Sequence, residues 1–215
     1  MKLKWLGHSC FLITSREGLR IVTDPYAVGS GISYAPVNES ADIVTVSHDH
    51  GDHSNVSSLR GTPELVKGSG VKSVRGIEFR GIATYHDGAQ GKHRGHNTLF
   101  CFEVDGVRVC HCGDLGHLLS PAQASDVGAV DLLLVPVGGT FTIDAAEASE
   151  LCSQLRPRVV VPMHFKTPKC DYPIAGVESF LEGKKNVESA EASEREFDAE
   201  KLPGATRIVV LEPAL

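Results

Sequence analysis

The sequence lacks any apolar run that approaches the roughly 18 to 20 uninterrupted residues of a membrane-spanning helix. Its first residues, MKLKWLGHSCFLIT, also lack the small-residue cleavage site that follows a long apolar segment in a secretory signal. We therefore expect no membrane partner and no export, and the predicted location is the cytoplasm.

Positive charge is also scarce. The chain has 21 Lys and Arg residues against 27 Asp and Glu, which gives a formal net charge of −6 and a pI near 5.9. Affinity for a phosphate backbone depends on cationic side chains that neutralise the phosphates. This composition predicts no nucleic-acid partner.

The six cysteines give no sign of a disulfide framework. They form no C-x-x-C pair and lie mostly within apolar runs, at Cys10, Cys101, Cys110, Cys112, Cys152 and Cys170. That placement is typical of reduced core residues in a cytosolic protein.

Low-complexity linkers and internal repeats are absent too, so the 215 residues predict one domain over 1–215. The most linker-like segment, GKKNVESAEASERE at 183–196, is expected to be a surface loop with a short exposed element. Hydrophobic content of 41% and charged content of 22% are ordinary for a globular domain.

Short apolar runs bounded by turn residues predict strands, and amphipathic segments in the second half predict helices. The predicted strands are 3–6, 10–14, 19–23, 42–46, 73–85, 98–104, 107–112, 131–137, 158–164 and 206–212. One predicted helix has Ser120 as its N-cap and Pro121 as its first residue. Two more are predicted over 142–155 and 174–182. The helix 142–155 is expected to direct Ile143, Ala146, Leu151 and Leu155 toward the core. This order of elements predicts an α/β fold of two packed sheets with helices on their outer faces.

Metal-binding side chains are abundant at one place, SHDHGDH at 47–53, directly after the predicted strand 42–46. Alternate residues of an extended chain share a face, so His48 and His50 point the same way. Asp52 and His53 follow where the chain turns, and we expect a short helix near 56–59 after them. We interpret the loop as a site for two adjacent metal ions rather than as a merely polar turn, because imidazole and carboxylate suit Zn²⁺ as well as Fe and Mn.

Four side chains cannot complete two metal sites, and the chain places further candidates just past three later strands, at His86, Asp114 and His164. Asp114 is the expected bridge, since one carboxylate can offer an oxygen to each of two ions. His93 and His96 compete with His86, but they lie in a glycine-rich loop rather than directly after a strand.

With these residues the chain resembles the metallo-β-lactamase fold hydrolases, whose loop pattern H-x-H-x-D-H is met within 48–53. The resemblance extends over WLGHSCFLI at 5–13, TDPY at 23–26, GDLGH at 113–117, PVGGTFTI at 136–143 and PMHFKT at 162–167. It is greatest for the small single-domain branch related to ascorbate-6-phosphate lactonase-like and phospholipase-D-like members, and it implies a four-layer αββα sandwich. The implied ligands are His48, His50 and His86 for one metal, Asp52, His53 and His164 for the other, and Asp114 for both.

The resemblance also implies the chemistry. Two divalent ions, expected to be Zn²⁺ with Mn²⁺ or Fe²⁺ as alternatives, lower the pKa of a bridging water enough to leave hydroxide at neutral pH. Asp52 is the expected carrier of a proton to the leaving group. The predicted function is hydrolysis of a small ester, lactone, thioester or phosphodiester, and the sequence does not say which bond is cleaved.

Other functions on this scaffold stay open. A nuclease or RNA-processing phosphodiesterase is disfavoured by the negative charge of the chain. A flavin-linked di-iron oxidoreductase is disfavoured by His50, where such members carry an acidic residue. A non-catalytic metal-binding or sensing protein would be expected to lose some of the seven ligands, and this chain has all of them.

The loop 87–97 is the one cationic segment near the predicted site, with Lys92, His93, Arg94 and His96. We hypothesise that it receives a phosphate or carboxylate group of an anionic small-molecule substrate, the alternative being a solvated loop.

Three residues near the motifs, His8, Asp24 and His111, have two interpretations of equal weight. His8 and His111 either orient the metal ligands or face the substrate, or they are ordinary hydrogen-bonded residues at strand ends. Asp24 either orients a metal ligand or only forms a turn.

Overall fold

The protein, described over residues 1–215 by a computed structural model, is built mainly from strands. The strands are β1 Lys2–Gly7, β2 Cys10–Thr14, β3 Arg20–Thr23, β4 Ile43–Val46, β5 Glu64–Lys67, β6 Gly70–Val74, β7 Ile77–Tyr85, β8 His96–Val104, β9 Val107–His111, β10 Leu132–Pro136, β11 Val159–Met163, β12 Val187–Ser189, β13 Glu194–Glu196 and β14 Arg207–Val210. The α-helices are α1 Pro121–Val127, α2 Ala145–Leu155 and α3 Glu178–Leu181, and two 3₁₀ turns span Val56–Ser58 and Ala199–Lys201.

These strands form two mixed sheets. A six-stranded sheet has the order β13-β1-β2-β3-β4-β5, and an eight-stranded sheet has the order β12-β14-β11-β10-β9-β8-β7-β6. In the larger sheet β9, β10, β11 and β14 run parallel, while β6 to β9 form an antiparallel meander. The predicted α/β fold class with two packed sheets is confirmed.

Alternation along the strands of the smaller sheet divides the interior into two cores. Phe11 and Ile13 belong to the main core shared with the larger sheet, whereas Leu12 between them belongs to a second core with Tyr26 and Tyr34. Successive side chains of a strand point to opposite faces, so each face of this sheet has its own buried layer.

The two outer layers differ in structure. All three α-helices lie in connections between strands of the larger sheet. The outer core of the smaller sheet is covered instead by the connection 24–42 and by Leu59 after the first 3₁₀ turn. That connection reads DPYAVGSGISYAPVNESAD, and its prolines and glycines disfavour a helix.

Several element predictions need correction. The strand predicted over 73–85 is a hairpin of β6 and β7, which turns at Arg75 and Gly76, both with positive φ. The helix predicted over 174–182 shrinks to α3, because Gly176 precedes it and glycine disfavours helical backbone. The segment 183–196 holds two strands rather than a loop, β12 on the larger sheet and β13 on the smaller one.

The buried face of α2 also differs from the prediction. The helix begins after Asp144, so Ile143 is buried ahead of it, and Ala148 and Leu151 are its buried residues while Ala146 is exposed. All six cysteines are free. No helix of the structure combines the length and apolar character needed to cross a bilayer.

The start of α2 depends on a capping box. Asp144 Oδ1 accepts hydrogen bonds from the backbone N–H of Ala146 and Glu147, each 2.9 Å long, and Glu147 Oε2 accepts one from the N–H of Asp144. We expect Asp144→Ala to lower the free energy of unfolding by about 1 kcal/mol, because two helix N–H groups lose their acceptor. Urea denaturation measures the change. Asp144→Asn retains the acceptor and is the control, so equal losses in both variants would contradict this role.

Candidate metal centre

The polar residues of interest leave the ends of six strands. These strands are β1, β3, β4, β7, β9 and β11, which are followed by His8, Asp24, the loop 47–53, His86, Asp114 and His164. The first three belong to the smaller sheet and the last three to the larger one. Each sheet therefore delivers part of one cluster.

The centre of the cluster is the carboxylate of Asp114, which is 2% exposed. Its Oδ2 atom lies 3.1 Å from Nε2 of His86, 3.2 Å from Nε2 of His53, 3.3 Å from Nε2 of His164 and 3.9 Å from Nε2 of His48. One carboxylate oxygen thus faces four imidazoles from three different connections of the chain.

The structure brings all seven predicted ligands together: His48, His50, Asp52, His53, His86, Asp114 and His164. Ligand atoms of His48, His50 and His86 all lie within 4.8 Å of one another. A second group with the same spacing consists of His8, His53 and His164. A third group joins His48 and His53 to Asp24. The alternatives to His86, namely His93 and His96, are exposed and outside all three groups.

Hydrogen bonds to the distal ring nitrogens orient three of these imidazoles. The Nδ1–H of His53 donates to Asp24 at 2.9 Å, and that of His48 donates to Ser47 Oγ at 2.9 Å. The Nδ1–H of His86 donates to the carbonyl of Phe141 at 3.0 Å. Each bond turns Nε2 toward Asp114, which is the orientation that metal-binding histidines adopt.

Asp24 has a larger role than a turn former. It is fully buried, has a φ of 40°, and accepts hydrogen bonds from the backbone N–H and the hydroxyl of Ser47 as well as from His53. One carboxylate therefore orients His53 directly and His48 through Ser47.

The electrostatics of the centre favour cation binding. Burial alone would raise the pKa of Asp114, but the charges of His164 and His53 hold it well below its usual range. Burial lowers the pKa of His48 to about 3, so its imidazole is neutral and has a free lone pair at pH 7. Burial opposes a charge on His53, yet the neighbouring Asp114 and Asp24 raise its pKa well above the usual range. A cation at Nε2 of His53 must displace this proton, so cation affinity is expected to rise with pH.

Several buried polar atoms of the cluster have no hydrogen-bond partner. They are Nε2 of His48 and His53, Nδ1 of His164, Oδ1 of Asp114 and both ring nitrogens of His8. Unpaired buried polar atoms are unfavourable, and native proteins contain few of them. Divalent cations would use imidazole nitrogens and carboxylate oxygens of this kind, so the residues present fit a metal centre.

A small cavity of about 250 Å³ opens onto the cluster. It is lined by His50, Asp52, His86, Arg94, Asp114, Phe141, His164 and Tyr172. Two of these residues were not predicted from the sequence. Tyr172 donates from its hydroxyl to Asp52 Oδ2 at 3.2 Å and packs edge-on against Phe141, with 5.6 Å between ring centroids.

His111 orients two turns rather than facing the cavity. Its Nε2–H donates to the carbonyl of Ser9 at 2.9 Å, and its Nδ1 accepts from the N–H of Gly113 at 3.3 Å. These bonds connect the turn that carries His8 with the turn that carries Asp114.

Comparison with known proteins identifies relatives of the whole arrangement. A family model described as the beta-lactamase superfamily domain matches residues 2–164. Metal-dependent hydrolases of Thermococcus onnurineus and Pelotomaculum thermopropionicum are 29% and 28% identical to the chain. The first alignment covers 78% of this chain and 85% of the relative, and the second covers 87% and 95%.

Solved structures show the same likeness. A metallo-β-lactamase superfamily protein of Thermotoga maritima, whose name assigns it to the Zn-dependent hydrolases, is 36% identical over 98% of both chains and has a TM-score of 0.82. Igni18, a metallo hydrolase of Ignicoccus hospitalis, shares the fold with a TM-score of 0.66 and 22% identity, over 99% of this chain and 95% of its own.

Gly113 packs closely against Ser47 and Asn97, which contact residues of the cluster. Gly113 has a φ of 52°, and a Cβ there would lie 2.5 Å from Cβ of Ser47 and in contact with Asn97 Oδ1, which accepts the N–H of Asp114. We expect Gly113→Ala to lower the free energy of unfolding by about 2 to 3 kcal/mol and to weaken metal binding, because Ser47 and Asp114 must both move.

Denaturation and metal titration test this expectation. Gly51→Ala is the matched control, since a Cβ at Gly51 in the loop 47–53 meets nothing within 4 Å. A Gly113→Ala variant with the stability and metal affinity of Gly51→Ala would show that the backbone adjusts there without strain.

Proposed function

Because the chain belongs to the metallo-β-lactamase superfamily and is a metal-dependent hydrolase, we propose that it uses two divalent cations to cleave a small ester, lactone, thioester or phosphodiester. The observation that carries this proposal is the buried Oδ2 of Asp114, which lies within 3.1 to 3.9 Å of four imidazole nitrogens. A carboxylate in that position suits a bridge between two cations.

The residues divide into two ligand groups that share Asp114. His48, His50 and His86 would hold the first cation. Asp52, His53 and His164 would hold the second, and Zn²⁺ is the cation that this mixture of imidazole and carboxylate favours, with Mn²⁺ and Fe²⁺ as alternatives. When bound, the cations supply a hydroxide nucleophile at neutral pH and polarise the bond under attack.

Asp52 is placed to move a proton. Its side chain is 19% exposed and borders the cavity. Burial alone would raise its pKa, but the neighbouring imidazoles of His8, 3.4 Å away, and of His53 hold the pKa below its usual range. The carboxylate is therefore ionised at neutral pH and can accept a proton from the nucleophile and pass it to the leaving group. Burial raises the pKa of Tyr172, whose hydroxyl stays protonated and orients Asp52 through their hydrogen bond.

The ordered turn that carries Arg94 supports the proposal that the substrate is anionic. The carboxylate of Asp87 accepts four backbone hydrogen bonds of 2.7 to 3.0 Å, from the N–H groups of Ala89, Gly91, His93 and Arg94. These bonds hold residues 87–95 in one compact turn before β8, which begins at His96, so this segment is ordered rather than a freely solvated loop. Arg94 leaves this turn and lies over the ring of Phe141, 4.5 Å from its centroid, at the wall of the cavity.

Arg94 is thus the cation that a substrate meets beside the metal centre. Its guanidinium presents paired N–H donors that match a carboxylate or phosphate. We infer a small-molecule substrate with one such group, bound to Arg94 while the scissile bond lies near Asp114. The exposed Lys92, His93 and His96 do not line the cavity.

Metal removal tests the reaction class. We expect about two divalent cations per chain, and turnover of at least one substrate in an ester, lactone, thioester and phosphodiester panel that disappears with chelator and returns with added metal. Asp52→Asn should lower kcat by about 10²- to 10⁴-fold, because the carboxylate that carries the proton, and that would also hold the second cation, is lost. Asp49→Asn is the control, since Asp49 lies in the same loop but is exposed and outside the cavity.

Two results would contradict the proposal. Fewer than one cation per chain with no chelator-sensitive turnover would exclude a metal-dependent reaction. Two tightly bound cations with no turnover of any panel member would favour a metal-binding protein without catalysis.

Substrate charge is tested at Arg94. Arg94→Ala should raise KM about 10- to 100-fold for substrates that carry a phosphate or carboxylate, because a charge-assisted hydrogen bond is lost. Neutral esters should keep their KM. Lys92→Ala, in the same loop but exposed, is the control. An unchanged KM for every anionic substrate would show that Arg94 does not bind the substrate.

A further inference from the structure

His8 lies in the turn between β1 and β2 in an unusual backbone conformation. Its φ is 52°, a region that residues other than glycine rarely adopt. The turn is held in place because the carbonyl of His8 accepts hydrogen bonds from Nε1–H of Trp5 at 2.9 Å and from the N–H of His164 at 3.3 Å. Strained conformations held by their surroundings are concentrated at functional sites. The position of the His8 ring is therefore imposed by the fold.

The side chain of His8 is fully buried, yet neither ring nitrogen has a hydrogen-bond partner. His111 is equally buried and has partners on both nitrogens. Buried imidazoles normally find partners, so His8 lacks something that His111 has. The ring of His8 faces the metal centre. Its centroid lies 4.2 Å from the ring centroid of His164 and 5.1 Å from that of His53.

The distances around His8 match those between ligands of a common cation. Ligand atoms of His8, His53 and His164 all lie within 4.8 Å of one another. Nε2 of His8 is 3.4 Å from Oδ2 of Asp52, too long for a good hydrogen bond. Two ligands that each lie about 2.1 Å from one cation, at angles of about 90° to 120°, are separated by about 3.0 to 3.6 Å.

We propose that His8 is a fourth side chain of the second cation site, with Asp52, His53 and His164, in addition to the shared Asp114. This inference rests on the proposed two-cation centre and deepens it. The loop pattern H-x-H-x-D-H does not contain His8, which comes from the turn between β1 and β2 instead.

The added ligand makes the two sites unequal. The second site has five protein ligands and the first has four, of which His50 is exposed at the cavity. The more completely enclosed second site should bind its cation more tightly and load first. The first site, beside His50 and His86, would then be the one that a substrate can approach, since both residues line the cavity together with Arg94.

Metal affinity, rather than activity, tests this inference. The two dissociation constants for Zn²⁺ are measured by competition with a chromogenic chelator, for the wild-type chain and for His8→Ala and His8→Gln. We expect the tighter constant to weaken at least about 10- to 100-fold in both variants, because a ligand of that cation is lost. His48→Ala should instead weaken the looser constant, and the exposed His96→Ala should change neither.

Folding is separated from binding by unfolding the chelated proteins. In excess chelator, His8→Gln should unfold at about the midpoint of the wild type, since one unpartnered buried polar side chain replaces another. Unchanged zinc affinity would overturn the inference. A loss of affinity in both variants that is accompanied by a lowered unfolding midpoint of both chelated variants would show that His8 is a packing residue and would also overturn it.

The wild-type titration distinguishes the two levels of the argument. A wild-type chain that binds only one cation would refute the two-cation centre itself, and this inference with it. A wild-type chain that binds two cations, with variants that retain both affinities, would refute only the assignment of His8.

Discussion

The burial of the Asp114 carboxylate constrains the rest of the structure. A carboxylate that is removed from water needs positive charge nearby, and here it is surrounded by imidazoles rather than by permanently charged side chains. Positive charge on His53, whose pKa the nearby Asp114 and Asp24 raise, meets part of that need. A divalent cation meets it more fully, so protons and cations compete for the same place. Asp24 affects this competition, because its buried carboxylate accepts a hydrogen bond from Nδ1 of His53 and raises the pKa of that imidazole.

Backbone strain follows from the same constraint. His8, Asp24 and His164 all have φ between 40° and 52°, although none of them is glycine, and each comes directly after a strand. Left-handed backbone at a strand end turns the side chain sharply back across the end of the sheet. The strand before it supplies the ladder of hydrogen bonds and buried apolar residues that sustains the strain. The two sheets therefore act as a rigid frame that holds polar side chains in positions that a loop alone would not maintain.

Most of the cluster was predictable from the sequence because it follows strong strands. His86, Asp114 and His164 each come after an apolar run whose pattern marks the strand end, and the loop 47–53 has its own dense motif. Tyr172 and Phe141 were not predictable, because they lie in irregular segments and reach the cavity through long-range packing. The strands β5, β12 and β13 were missed for a related reason: they are short, partly exposed, and lie at or near sheet edges where no alternation is required. The bond between His53 and Asp24 joins residues 29 positions apart, a pairing that local periodicity does not encode.

The residues of the cluster and the residues of the cavity wall come from different parts of the fold. The residues around Asp114 come from strand ends, whose positions are set by sheet pairing and by the main core, so a change there disturbs the whole frame. The residues on the cavity wall come from three connections that make few demands on the sheets: Arg94 from the turn organised by Asp87, Phe141 from the segment before α2, and Tyr172 from the segment before α3. A substitution of Arg94 can alter the charge of a cavity of about 250 Å³ without removing a partner of a proposed ligand, whereas Tyr172 also donates a hydrogen bond to Asp52. The strand ends thus carry the cluster of a metal-dependent hydrolase, and we expect the connections to influence which substrate it accepts.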